Sequence, residues 1–349
     1  MNRVGAETGT RNAIALVVDI NMVPPAAFLA TELARLNPRR DTDIFVFCDS
    51  DSAANALRSA DPPCRVAVLR PDLPGVGDLP RNDQIPSGVS YARLLLPQAL
   101  GPAYRRSLYL DTDLKLADPR LFDLLDLDMG GKAVAAVRDP VVSFSRSAKM
   151  RAYRERLGVG DAYFNDGVLL LDNAVFAGEL AGVLAIITAH RDGLSHLEQT
   201  ALNIAFRSRW LELSPSWNLF AEFEATAVGR AYPPRIVHFV GSAKPWRELK
   251  FFTDIAYQAR LLDFLAASPW PDYFARQRRA RDVRRFFFMR PLLHYHLDGS
   301  RRLIAPLFRR YARRSKIDQA AYRAHLRRAD FADVDAGLVR PNIDWLGSA

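Results

Sequence analysis

Short unbroken apolar runs alternate, through the first half of the chain, with segments whose apolar residues recur at helical spacing. Residues 14–18 (IALVV), 44–48 (IFVFC) and 66–69 (VAVL) are runs of strand length, the pattern of strands buried on both faces. Between the first two, residues 24–36 place Phe28, Leu29, Leu33 and Leu36 along one helical face. A helical segment over 91–100 leads to an apolar run at 107–110 that passes straight into Asp111-Thr112-Asp113. Residues 133–137, 168–171 and 236–240 read as further strands, and 175–190 and 196–210 as helices. This alternation predicts an α/β fold around a mostly parallel, buried sheet. Residues 71–87, rich in Pro, Gly and Asp, read as one long loop, which in a compact domain is usually functional.

Composition excludes several classes. With 49% hydrophobic and 25% charged residues in a chain of 349, disordered and fibrous proteins are out. No run approaches the ~18 apolar residues of a membrane-spanning helix, and the N-terminus has no secretory signal pattern. Two cysteines, Cys48 and Cys64, can build neither a disulfide framework nor a cysteine zinc site, as expected of a cytoplasmic protein.

The net charge of +9 changes the picture only once it is divided. Beyond residue 270 the chain holds 18 Lys+Arg against 8 Asp+Glu, so the remainder is nearly neutral. Pro269 and Pro271 mark the change. The expected organisation is a flexible N-terminus (1–12), a main body (13–270) and a basic helical tail (271–349). Within residues 276–316, fourteen Lys+Arg face only Asp282 and Asp298, interleaved with Phe286, Phe287, Phe288, Tyr295, Phe308 and Tyr311. Basic and aromatic residues in one segment suit an interfacial element on an anionic membrane surface. No helix-turn-helix, zinc or aromatic RNA-binding signature accompanies the charge, so nucleic acid is not an expected partner.

Asp111 and Asp113, two residues apart at a strand end, could share a divalent cation whose other ligands are phosphate oxygens. The pattern alone is weak. Thirty Asp residues give about two or three such pairs by chance, and the chain has five, beginning at Asp41, Asp49, Asp111, Asp126 and Asp333. Both the Asp49 and Asp111 pairs follow apolar strands, and local physics does not choose between them.

The wider order does choose. Tyr91-Ala92-Arg93-Leu94, Leu108-Tyr109-Leu110-Asp111-Thr112-Asp113, Phe164-Asn165-Asp166-Gly167-Val168-Leu169-Leu170 and His238-Phe239-Val240-Gly241-Ser242-Ala243-Lys244-Pro245-Trp246 follow one another. This series, spanning about residues 13 to 250, resembles glycosyltransferase family 8. The likeness is greatest to its bacterial lipopolysaccharide and lipooligosaccharide galactosyl- and glucosyltransferases, and more distant to glycogenin. The resemblance implies a GT-A-type nucleotide-diphosphate-sugar transferase fold, a UDP-sugar donor, a manganese ion and retention of anomeric configuration.

Carried over by position, Asp111, Asp113 and His238 match the metal ligands. Carboxylates with one imidazole suit Mn²⁺, with Mg²⁺ left open. Thr112 lies between the two aspartates, Lys244 matches a lysine that reaches the donor diphosphate, and Gly241 lets backbone approach it closely. Asp19 and Asn21 match residues that read uracil and ribose, and Arg93 an arginine near sugar and phosphate. Asp139, Asn165 and Asp166 match positions lining the sugar pocket. Asp166 replaces a small residue, and Asp139 before Pro140 is also a natural turn former. Glu198-Gln199 stands where relatives carry Asp-Gln, placing Gln199 nearest the reacting face. Glu198 could equally serve as an acid at a helix N-terminus.

The activity so implied is transfer of a hexose, galactose or glucose, to a glycan or lipid-linked acceptor in cell-surface polysaccharide synthesis. It would proceed at the inner face of the cytoplasmic membrane. A catalytically silent sugar-nucleotide or glycan-binding module of the same fold is the alternative. Retention through a covalent intermediate needs a carboxylate opposite the leaving group. Gln199 is a poor nucleophile, which favours attack from the leaving-group face and leaves Asp139, Asp166 and Glu198 as alternatives.

Overall fold

The computed structural model describes residues 10–70, 89–190, 197–224, 226–241, 244–247, 255–277, 317–328 and 330–347. The expected loop at 71–87 and nearly all of the basic segment 276–316 lie outside the described residues. The strands are β1 (Arg11–Val18), β2 (Thr42–Cys48), β3 (Arg65–Val68), β4 (Tyr104–Leu110), β5 (Leu114–Leu116), β6 (Val134–Arg138), β7 (Phe164–Asp172), β8 (Leu211–Leu213), β9 (Leu219–Phe220) and β10 (Ile236–His238). Seven form one sheet in the order β3-β2-β1-β4-β7-β6-β8, and three form another, β5-β10-β9.

The mostly parallel sheet follows from the apolar runs. In β1 every residue from Asn12 to Val18 is buried, as a central strand covered on both faces requires. Ile14 sits opposite Ile44 of β2 and Leu108 of β4, both pairings parallel. The exception is β7, antiparallel to β4 with Leu108 opposite Leu170. Helix Val23–Leu36 carries prolines in its first turn, where a missing N–H costs nothing, and stops at Asn37 before Pro38.

Several elements depart from the pattern. Helix Asp51–Arg58 is too short and small-residued to show periodicity, and Ala148–Leu157 buries only Arg154 and Leu157. Strands β5, β8 and β9, of two or three residues, are shorter than any alternation can reveal. The helix expected over 196–210 ends at Ala205. There the chain turns through Ser208, a non-glycine residue at φ 57°, and enters β8.

Two compact units share the chain. The first takes its described residues from Met1–Thr112, Phe122–Ala136 and Asn165–Leu211; the second from Asp113–Leu121, Val137–Phe164 and Glu212–Ala349. The second unit's buried cluster includes Phe220, Phe223 and Tyr232 together with Ile317, Tyr322, Leu326, Phe331 and Leu346. Residues near the end of the chain are thus part of its core.

Candidate functional site

In a parallel sheet the carboxyl ends of the strands share one edge, where ligands of α/β folds gather. In the first unit β1 ends before Asp19, β2 before Asp49 and β4 before Asp111. Because β7 runs the other way, its amino end returns to that edge. The Asp111 N–H donates to the Gly167 carbonyl at 2.8 Å, which brings Asn165 and Asp166 alongside.

Arg93 is the hub there, 11% exposed at its side chain. Its guanidinium lies 3.0 Å from Asp166 Oδ2, 3.5 Å from Asp111 Oδ1 and 4.7 Å from the Tyr109 ring centroid. The Tyr109 hydroxyl donates to Asp111. Burial opposes the Arg93 charge, but Tyr109, Asp166, Asp111 and Glu198 outweigh it and hold the group firmly protonated. Burial pushes the Asp166 carboxyl up to about 7, with Glu198 and Asp111 adding to the effect and Arg93 opposing it. Nearby, Gln199 Oε1 accepts from Asn165 Nδ2 and from the Asp166 N–H, both at 3.3 Å. Glu198 is buried in the first turn of helix Leu197–Ala205, a position where its charge faces the helix dipole.

Asp19 accepts from the N–H groups of Asn21 and Met22, capping a single turn, and Asn21 is exposed. Asp49 accepts from the Ser50 hydroxyl at 3.0 Å and Asp51 pairs with Arg70. Among the described residues, neither aspartate of that pair meets a histidine.

Thr112 and Asp113 continue the chain from Asp111 into β5, so Asp111-Thr112-Asp113 is the link between a strand of one sheet and a strand of the other. Asp113 stands two residues past Asp111 along the backbone.

In the second unit β5 pairs antiparallel with β10, setting His238 opposite Leu114. That register puts His238 Nε2 3.2 Å from Asp113 Oδ1. The other Asp113 oxygen takes the Lys244 ammonium, which also donates to the Phe239 carbonyl at 2.8 Å. Burial alone would raise the Asp113 carboxyl, yet Lys244 and His238 hold it far below the usual carboxylate range. The donor set, carboxylate oxygens and one buried imidazole, fits a hard-to-borderline divalent cation such as Mn²⁺. Gly241 adopts φ +77°, a left-handed backbone open only to glycine at low cost, and an added Cβ there would meet nothing within 4 Å.

Asp139 lies elsewhere in the second unit. Its Oδ1 accepts from Val141 and Val142 N–H at 2.8 and 2.9 Å, capping the turn Pro140–Ser143. The residues without a forecast are Tyr109, inside a quoted motif but read only as strand, and Asn218. The latter stands 2.9 Å from His238 Nδ1, and no local sequence signal marks it.

Comparison with known proteins agrees with this arrangement. Residues 14–250 match the profile of glycosyl transferase family 8. The lipopolysaccharide 1,2-glucosyltransferase of Escherichia coli is 22% identical over 317 residues, 86% of this chain and 91% of that enzyme. Glycosyltransferase GlyA of Streptococcus pneumoniae is 31% identical over 152 residues, 41% of this chain but only 20% of GlyA. Among solved structures, galactosyltransferase LgtC, crystallised with donor and acceptor sugar analogues, superposes with a TM-score of 0.61 at 21% identity. That match covers 74% of this chain and 96% of LgtC, a likeness of fold. With two thirds of its length inside the family's profile, the chain belongs to glycosyl transferase family 8.

Proposed function

We propose that this glycosyltransferase moves a hexose, galactose or glucose, with retention from a UDP-sugar to a glycan or lipid-linked acceptor in lipopolysaccharide or related cell-surface polysaccharide synthesis. The observation that carries the reading is the Asp113–His238 pair at 3.2 Å with Lys244 on the same carboxylate, two residues past Asp111. The lipopolysaccharide glucosyltransferase relative, matched over nearly its whole length, supports the acceptor class.

In this reading Asp111, Asp113 and His238 hold Mn²⁺ or Mg²⁺. The ion's contribution when bound is to neutralise charge on the departing diphosphate. Lys244 supplies a second positive charge to that diphosphate, an electrostatic effect of the kind that usually dominates catalysis. Gly241 lets the backbone approach the phosphates, Thr112 spaces the two aspartates, and Asp19 and Asn21 read the uridine. Arg93, pinned by Asp166 and Asp111, orients the sugar and its phosphate. Asn165, Asp166 and Glu198 receive sugar hydroxyls.

The amide of Gln199, already accepting from Asn165 and Asp166, makes a poor nucleophile. Attack therefore comes from the leaving-group face, and a departing phosphate oxygen takes the acceptor hydroxyl proton. The basic, aromatic segment 276–316 brings the enzyme to the anionic inner face of the cytoplasmic membrane; among the described residues no helix is long and apolar enough to cross one.

The test is a panel of UDP-sugars with Mn²⁺, scored by UDP release and by the anomer formed. One hexose should be turned over preferentially, with loss of activity on chelation. Absence of metal-dependent hydrolysis or transfer with every UDP-sugar would instead support a silent binding module.

A further inference from the structure

The imidazole of His238 is held from two sides. Toward Asp113 it presents Nε2, at 3.2 Å from Oδ1. On the other side Nδ1 meets Asn218 Oδ1 at 2.9 Å, both residues being almost wholly buried. β9 and β10 are parallel neighbours with His238 opposite Phe220, so the register of the small sheet sets this contact. The Phe220 ring meets the imidazole edge-on at 6.0 Å.

An amide oxygen can only accept. Nδ1 therefore carries the hydrogen, so when the ring is neutral, as a metal ligand must be, its lone pair is that of Nε2. Were the amide reversed, its NH₂ would face Nδ1, the hydrogen would move to Nε2, and that nitrogen could ligate nothing.

The backbone that carries Asn218 is held in place. Its N–H donates to the Pro215 carbonyl at 3.2 Å, closing the turn Pro215–Trp217. That turn is fastened in its own right, since the Trp217 indole N–H and the Ser214 N–H donate to Asp333 at 2.9 and 2.7 Å.

We infer that Asn218 is a positioning residue for the metal histidine, holding His238 as the Nδ1–H tautomer so that Nε2 is presented to a divalent cation. The inference rests on the reading of Asp111, Asp113 and His238 as metal ligands. Groups that orient a ligating histidine from behind typically matter 10–100-fold to affinity.

The experiment is titration of the full-length protein with Mn²⁺, following the free ion by electron paramagnetic resonance. His238→Ala should bind roughly 10-fold or more weakly than wild type, and equal binding would refute the metal reading and this inference with it. Asn218→Leu keeps the volume and removes the acceptor, and should weaken Mn²⁺ by roughly 10–100-fold. Asn218→Asp keeps an acceptor and should hold affinity near wild type, a rescue that a purely structural role would not give. Wild-type affinity in Asn218→Leu, with His238→Ala impaired, would overturn the inference alone. A second measurement needs no substitution at 218. Wild-type protein loaded with Co²⁺ should show a shifted, solvent-exchangeable ring N–H signal that His238→Ala lacks, as expected for ligation through Nε2. Its absence from the wild type would likewise overturn the assignment.

Discussion

The indole N–H of Trp217 donates to a carboxylate 116 residues further along the chain, Asp333, at 2.9 Å, and both side chains are fully buried. Asp333 also accepts from the Ser214 N–H at 2.7 Å and from the Ser214 hydroxyl at 2.6 Å. These bonds tie the end of the chain to the turn that carries Asn218. Removing the carboxylate strands buried donors, each costing about 1–3 kcal/mol. Asp333→Ala should therefore lower stability by about 2–4 kcal/mol in urea denaturation, and a loss under ~0.5 kcal/mol would show the contact to be incidental.

A second tie in the same unit titrates. Glu212 accepts from Arg138 at 2.8 Å and contacts His325 Nε2 at 2.7 Å. Burial would raise its carboxyl, but the bonds from His325 and Arg138 prevail and bring it below its ordinary 4.5. A depressed folded pKa contributes stability that is present above the unfolded value and lost as pH falls through the folded one. Wild type should lose stability below pH 4.5 more steeply than Glu212→Gln. The variant should be the weaker of the two at pH 7, with the gap closing in acid. Urea midpoints measured across that range decide it, and parallel curves would refute the linkage.

The five Asp-x-Asp pairs separate once their surroundings are known. Arg39 holds both Asp41 and Asp126, Arg70 holds Asp51, and Asp333 is the strut just described. Among the described residues, the pair with a histidine against one member is the Asp111 pair, through Asp113 and His238 at 3.2 Å. Alanine at either should abolish Mn²⁺ binding and cut turnover by ~10²-fold or more, whereas alanine at Asp49 and Asp51 should leave activity largely intact. The reverse pattern in UDP-release assays would relocate the site.

This contrast shows what the chain discloses. Buried strands are legible because IALVV and IFVFC must be covered on both faces, whereas the choice of Asp111 over Asp49, both at strand ends, came from the order of the four motifs. What stayed hidden depends on distant partners. Arg93 would be read as a solvated helical residue by itself, and only the folded chain sets it between Tyr109, Asp111 and Asp166. Asn218 has no motif because its role is defined by the register of β9 against β10. Of the small sheet, β10 falls within the expected strand at 236–240, while β5 and β9 escaped because strands of two or three residues carry no period.

Gln199 offers a test of stereochemistry. Its side-chain oxygen is occupied by Asn165 and Asp166 at 3.3 Å, an orienting arrangement rather than an attacking one. Gln199→Ala should slow transfer but retain the wild-type anomer, as read by NMR of the product. A trapped sugar adduct on residue 199, or an inverted product from wild type, would refute same-face attack.

The basic segment can be tested without shortening the chain, and the fold explains why that matters. Residues 276–316 carry fourteen Lys+Arg among many aromatics, yet Ile317, Tyr322, Leu326, Phe331 and Leu346 beyond them lie in the second unit's core. Truncation near residue 268 would strip that core and confuse unfolding with lost membrane binding. Neutralisation is cleaner: glutamine at Arg278, Arg279, Arg281, Arg284, Arg285 and Arg290 removes six charges, each worth about 1 kcal/mol at an anionic surface. Wild type should sediment with phosphatidylserine vesicles at low salt and be released at high salt, because the attraction is screened. The neutralised variant should stay in the supernatant while hydrolysing UDP-sugar at the wild-type rate. Equal sedimentation of the two proteins, or none by either, would show that the segment's aromatics serve packing rather than a lipid surface.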